Sequence, residues 1–224
     1  MSRATTAPGP GRRPSGDGDG RRALLLDAAE KIFNARGIQA VGMDRLRSAS
    51  GLPLKRIYEL FPGKDAVVVA TLRRRHTRMM ADIGAHVDAA GSPRERVLSL
   101  FDWFHEWFET PEFRGCPWMN AYGELGPTNP AIAAEVYHHQ REFRALLTSV
   151  PRSAGCSEAV VGAVYLLAEG AVAAAAVQHS PSPAAEARAA VAALLAADAP
   201  ASGAAVPGTA VPGAAASTAP PAGV

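Results

Sequence analysis

Residues 43–64 read Met43-Asp44-Arg45-Leu46-Arg47-Ser48-Ala49-Ser50-Gly51-Leu52-Pro53-Leu54-Lys55-Arg56-Ile57-Tyr58-Glu59-Leu60-Phe61-Pro62-Gly63-Lys64, and this stretch decides the fold. Two short segments with helical apolar spacing flank the break Ser50-Gly51-Leu52-Pro53. Met43 and Leu46 turn inward in the first; Ile57, Leu60 and Phe61 form the apolar side of the second. Gly51 permits a tight reversal, Pro53 suits a first helical turn, and Pro62-Gly63 ends the second segment. With Leu46 and Ile57 locking the pair, Lys55, Arg56, Tyr58 and Glu59 face outward. This is the pattern of a helix-turn-helix. A plain helical bundle with an exposed basic face has the same spacing, and spacing alone leaves both open.

Working outward, helical spacing continues in both directions. A helix over 22–36 places Leu25, Ala28, Ala29, Ile32 and Phe33 on one face and stops at Gly37. A long helix runs over 64–90. Gly91-Ser92-Pro93 then separates it from a helix whose Val97, Phe101, Phe104 and Phe108 share a face, with Ser92 as cap and Pro93 at the first position. Residues 111–117 read as a loop, followed by helices over 118–125, 130–149, 157–179 and 183–197. No strand alternation is present, so the chain is all-α. The stretch 159–177 has the length of a membrane span, but it carries Glu169, two glycines and many alanines. A helix buried against other helices is expected there, and no membrane.

The 224 residues are 48% hydrophobic and 20% charged, which excludes a wholly disordered, collagen-like or disulfide-scaffold protein. The net charge of +2 conceals an asymmetry: 15 Lys/Arg against 7 Asp/Glu over 1–75, and 8 against 14 over 76–224. A basic front on an acidic rear points to a polyanion-binding module joined to something else. Cys116 and Cys156 belong to no Cys-x-x-Cys, and the adjacent His138-His139 give no metal spacing. The chain start lacks an apolar core, so a reducing cytoplasm is the expected compartment. No Gly-rich phosphate loop follows a strand, no Gly-x-Ser-x-Gly elbow occurs and no paired carboxylates stand out. Neither an enzyme nor a cofactor or metal site is expected.

The stretch from Arg22 to Val67 resembles the N-terminal domain of TetR-family transcriptional regulators. The resemblance rests on Leu25-Leu26-Asp27-Ala28-Ala29, Ile32-Phe33, Gly37, Met43-Asp44-Arg45-Leu46, Ser50-Gly51-Leu52 and Ile57-Tyr58-Glu59-Leu60-Phe61-Pro62-Gly63-Lys64-Asp65-Ala66-Val67. It implies an N-terminal three-helix helix-turn-helix DNA-binding domain over 21–66 and a C-terminal helical ligand-binding and dimerisation domain over 67–198. A disordered arm over 1–20 and a disordered Ala/Pro/Gly tail over 199–224 are read from composition. The resemblance further implies a homodimer on a double-stranded operator with its recognition helices in successive major grooves, and release by a small-molecule effector. A repressor is the first reading; an activator, or a redox-responsive regulator using Cys116, is the alternative.

Residue by residue, the recognition helix is 53–60. Lys55 and Arg56 are the candidates for phosphate or base-edge contact, Tyr58 and Lys64 match family phosphate contacts, and Arg45 reaches phosphate or a base. Leu54 sits where a polar residue is common and packs on a thymine methyl or on protein. Gly42 and Pro53 replace the hydroxyl residues common in the family, and Glu59 repels phosphate unless it accepts from a cytosine amino group. In the rear half the aromatic residues serve mainly as core. Phe104, Trp107, Phe108, Trp118, Asn120 and Tyr122 are the candidates for an effector cavity. The Ala-rich helices over 157–179 and 183–197 are expected to form a four-helix dimer interface.

Overall fold

The computed structural model describes residues 16–198. Among these residues the chain forms nine helices and no strand: α1 (Gly16–Arg36), α2 (Met43–Ser50), α3 (Leu54–Leu60), α4 (Lys64–Ala89), α5 (Pro93–Glu109), α6 (Pro117–Leu125), α7 (Pro130–Ser153), α8 (Glu158–Gln178) and α9 (Ser182–Asp198). The disorder expected over 1–15 and 199–224 lies outside the described residues. Over 16–20 that expectation is corrected, because α1 begins at Gly16. Three glycines there lower local helix propensity, but extending an existing helix costs far less than nucleating one, and Asp19 stands at the helix's positive end. The helix over 130–149 also runs further than expected, through Pro151 to Ser153.

Two apolar cores hold the helices. The front core is built from Leu25, Ala29 and Phe33 of α1, Leu46 of α2, Ile57 of α3 and Val67 of α4. Trp118, Ala121, Ile132 and Val136 from α6 and α7 complete it. The rear core takes Phe101, Phe104 and Phe108 from α5, Phe143 and Leu147 from α7, and a row of Val and Ala from α8 and α9. At α5 the expected cap is present as a full capping box: Ser92 Oγ accepts from the Glu95 N–H, and the Glu95 carboxylate accepts from the Ser92 N–H at 2.8 Å.

Helix α8 is long and apolar enough to cross a membrane by length and composition. It nevertheless packs Val160, Val164, Ala168, Ala171 and Ala175 into the rear core. Small side chains let its backbone approach α7 and α9 closely, and that explains its composition without a bilayer.

Candidate nucleic-acid interface and interdomain cavity

The turn between α2 and α3 is built as its residues dictate. Gly51 adopts the left-handed conformation (φ 68°), and its N–H closes α2 on the Arg47 carbonyl at 3.0 Å. Pro53 stands one position earlier than expected, capping α3 from outside: its carbonyl accepts from Arg56 and Ile57, while its extended ψ of 140° keeps it out of the helix. Gly42, Pro53 and Gly63 provide no side-chain cap to α2, α3 or α4.

Leu46 and Ile57 are fully buried and hold α2 and α3 together. That contact fixes what α3 presents outward. Lys55, Tyr58 and Glu59 are exposed, Tyr58 to 50% despite its apolar ring. Arg56 is half-exposed and its guanidinium is paired with the Glu59 carboxylate one turn on. Leu54 is half-buried. Arg45 is exposed on α2, and Lys64 opens α4 with its ammonium 3.4 Å from the Gln39 carbonyl. Arg22 covers the Phe61 ring at 4.2 Å. The helix-turn-helix therefore brings together exposed cations and one exposed tyrosine on apolar supports. The Arg56–Glu59 pair was missed in the sequence, although their i,i+3 spacing on a helix was the signal that could have found it.

The six residues expected at an effector cavity occupy different settings. Phe104 and Phe108 are buried in the rear core, edge and face against Trp103, Trp107, Phe113 and Phe143. Trp107 is half-buried against the same group. Trp118 is fully buried in the front core and stacked 3.4 Å from His139. Tyr122 is half-buried against the front core, with its hydroxyl 3.1 Å from that of Tyr137. A bundle of this length needs its aromatic volume to fill space between helices. Asn120 lines a cavity between the two halves of the fold.

That cavity, about 460 Å³, lies between α1, α4 and α6. Phe33, Ile38, Val68, Leu72, Pro117 and Met119 give it an apolar lining, and Thr71, Arg75, Asn120 and Glu124 supply polar groups. It sits on the seam between the helix-turn-helix and the rear helices. Across the same seam Glu124 of α6 accepts from the Ile38 N–H at 3.0 Å and the Gln39 N–H at 2.8 Å, and Gln39 donates back to the Glu124 carbonyl. Asn34 donates to the Glu112 carbonyl. Gly37 (φ 79°) leaves room for this grip, since a Cβ there would lie 3.2 Å from the Glu124 carboxylate. The turn after α1 is thus fastened to α6 by hydrogen bonds between backbone and side-chain groups.

Cys116 is a free, partly buried cysteine. Burial pushes it up to about 11, so almost none is thiolate at neutral pH. Cys156 is also raised by burial. Among the described residues no three His, Cys, Asp or Glu gather as a metal site.

Comparison with known proteins accords with this architecture. The family model described as bacterial regulatory proteins, tetR family, matches residues 25–71, and the one described as the tetracyclin repressor-like C-terminal domain matches 93–191. The HTH-type transcriptional regulator BetI of Rhizobium meliloti is 32% identical over 80 residues, which are 36% of this chain and 39% of BetI. The HTH-type transcriptional activator FasR of Mycolicibacterium smegmatis is 28% identical over 91 residues, 41% of this chain and 42% of FasR. The chain thus spans about two-fifths of the length of these curated relatives. A solved TetR-family regulator from Streptomyces coelicolor superposes with a TM-score of 0.71 at 25% identity, covering 80% of this chain and 96% of that one. A second, from Streptomyces avermitilis, gives 0.68 at 26% identity over 80% and 97%. Both halves of the fold carry the family's pattern, and the chain belongs to the TetR family of bacterial transcriptional regulators.

Proposed function

We propose that the protein is a homodimeric, non-enzymatic, sequence-specific DNA-binding transcription factor of the cytoplasm, and a repressor released from its operator by a small molecule. One observation carries the reading: α3 is anchored by buried Ile57 and turns Lys55, Arg56 and Tyr58 to solvent beside Arg45 and Lys64. Lys55 and Arg56 would enter the major groove, with Leu54 against a thymine methyl. Tyr58, Lys64 and Arg45 would hold phosphates.

Dimerisation is supported by α8, where Leu166 and Val177 are 67% and 82% exposed beside exposed Gly162 and Gly170. An apolar face of small residues suits close packing against a second copy. Effector response is supported by the seam. Because Glu124 holds the backbone at Ile38 and Gln39, a displacement of α6 would carry α1 and α2 with it. A ligand preferring the displaced state would lower DNA affinity, and DNA would lower ligand affinity by the same factor. An activator is the second reading, favoured by the similarity to FasR, which is named as one.

Selection of the full chain on random duplexes, followed by salt titration, tests this. Specific binding is expected to weaken steeply with salt. Lys64→Ala should weaken all duplexes alike and reduce the salt slope by about one. Arg56→Ala should relax preference at particular base pairs. An unchanged slope removes Lys64 from the phosphate contacts, and equal losses on selected and random DNA remove Arg56 from base reading.

A further inference from the structure

Three guanidinium groups of α4 converge on one carboxylate of α1. Arg78 takes both oxygens of Glu30 at 2.6 Å, Arg74 stands 3.4 Å away and Arg75 3.6 Å. Arg74 has a second partner in Asp27 at 2.7 Å. Arg75 has none: its contact with Glu30 is too long for a hydrogen bond, and it makes no other among the described residues. Its side chain is only 18% exposed. A desolvated cation that shares its one counter-ion with two other arginines, at a distance too long for a hydrogen bond, is only partly compensated. Burial accordingly pulls the Arg75 guanidinium below its usual range, with Glu30 opposing and Arg78 reinforcing the shift.

Arg75 lines the apolar cavity between α1, α4 and α6 and also a second cleft where Lys31, Arg78 and Arg114 alternate with Asp27, Glu30 and Glu112. The two spaces meet at Glu30, Asn34 and Arg75. On the first cavity's wall, the other charged group besides Glu30 is Glu124, already occupied by two backbone N–H groups. A negative ligand would keep its charge away from Glu124 and toward Arg75, where Glu30 is already neutralised by Arg74 and Arg78, with its apolar body against Phe33, Leu72 and Met119.

We infer that this interdomain cavity binds a small amphipathic carboxylate, with Arg75 as its counter-ion. The inference rests on the effector-responsive reading above and assigns its site and ligand chemistry. A guanidinium can take a carboxylate through two parallel hydrogen bonds, whereas a neutral isostere offers it only one carbonyl. The volume lies within the ordinary range of small-molecule sites.

The test is calorimetric titration of the full chain, without DNA, with 2-naphthoate and its neutral isostere 2-naphthamide. Naphthoate is expected to bind at least about tenfold more tightly. Arg75→Gln should abolish that difference; Glu30 retains Arg74 and Arg78, so the fold is expected to hold, which circular dichroism checks. Gly123→Leu should weaken both ligands by adding bulk at a lining position where a Cβ meets no atom within 4 Å. It also tests the location should Arg75→Gln fail to fold. The inference is overturned if wild-type protein binds neither compound or binds both equally. Preference surviving in Arg75→Gln, or affinity unchanged in Gly123→Leu, overturns it as well. DNA binding is titrated separately without naphthoate. Intact DNA binding with no naphthoate preference defeats this inference alone; the converse defeats only the regulator reading.

Discussion

The front and rear cores are both apolar, yet they differ in what they do for the surface above them. In the front core, short helices are held by single large side chains such as Leu46 and Ile57, and nearly every intervening residue of α3 reaches solvent. In the rear core, α5 buries Phe101, Trp103, Phe104 and Phe108, and its aromatic residues pack mainly on one another. The front uses its core to display side chains; the rear uses it to fill volume. Trp118 departs from this division. It belongs by sequence to the rear half but is buried in the front core, so the two halves share a wall.

That shared wall can be broken directly. Trp118→Ala should cost about 3–5 kcal/mol, the range for deleting a fully buried large aromatic. Urea unfolding would measure it, and DNA binding should weaken in parallel because the lost contacts support α1 and α4. Trp107→Ala, at a half-buried rear position, should cost less and leave DNA binding unchanged. Equal losses for the two, or a loss below about 1 kcal/mol for Trp118→Ala, would show that the front core stands without α6.

A smaller effect is expected behind Trp118. His139 stacks on its ring and places Nδ1 3.0 Å from Nδ1 of His76. One nitrogen must donate and the other accept, so the two rings cannot both be protonated. Burial, then His76 and His138, pull His139 down to about 3. His76 is lowered by burial and His138, with Glu135 and Glu142 opposing. The unfolded chain takes up these protons near 6.5, the folded chain only at lower pH. Stability from this pair is therefore complete above 6.5 and falls as pH drops toward 3, by up to about 1.4 kcal/mol per pH unit for His139. Unfolding at pH 7 and pH 5 would measure the loss. His139→Phe should flatten it while keeping the stack; an unchanged slope would place the titration elsewhere.

The front was legible in the sequence because its rules are local. Gly51, Pro62-Gly63 and the spacing from Leu25 to Phe33 each act within one or two turns of chain, and all three stand where expected. The cavity was not legible, because it exists only where α1 meets α6. Phe104 and Phe108, expected at a pocket, are buried in the rear core, and whether an aromatic side chain fills space or lines it is decided by helix packing. Arg75 carried no sequence signal either. It is one of three consecutive arginines, and its want of a close counter-ion emerges only when Arg74 and Arg78 have claimed Asp27 and Glu30.

The smallest expected effect concerns the display surface itself. Arg56 is paired with Glu59 across one turn of α3, and both side chains are 43% exposed. An exposed pair of this kind contributes about 0–1 kcal/mol, so Glu59→Gln should hardly alter unfolding. Its influence on DNA should be larger than its influence on the fold. The carboxylate both occupies Arg56 and repels phosphate, so removing its charge should strengthen binding to random duplexes by about three- to tenfold and steepen the salt dependence. If Glu59 instead accepts from a cytosine amino group, the same change should weaken the selected duplex while still strengthening random DNA. Unaltered affinity for random DNA would mean that α3 does not lie near the backbone, and the front surface would lose its role as a display of cations.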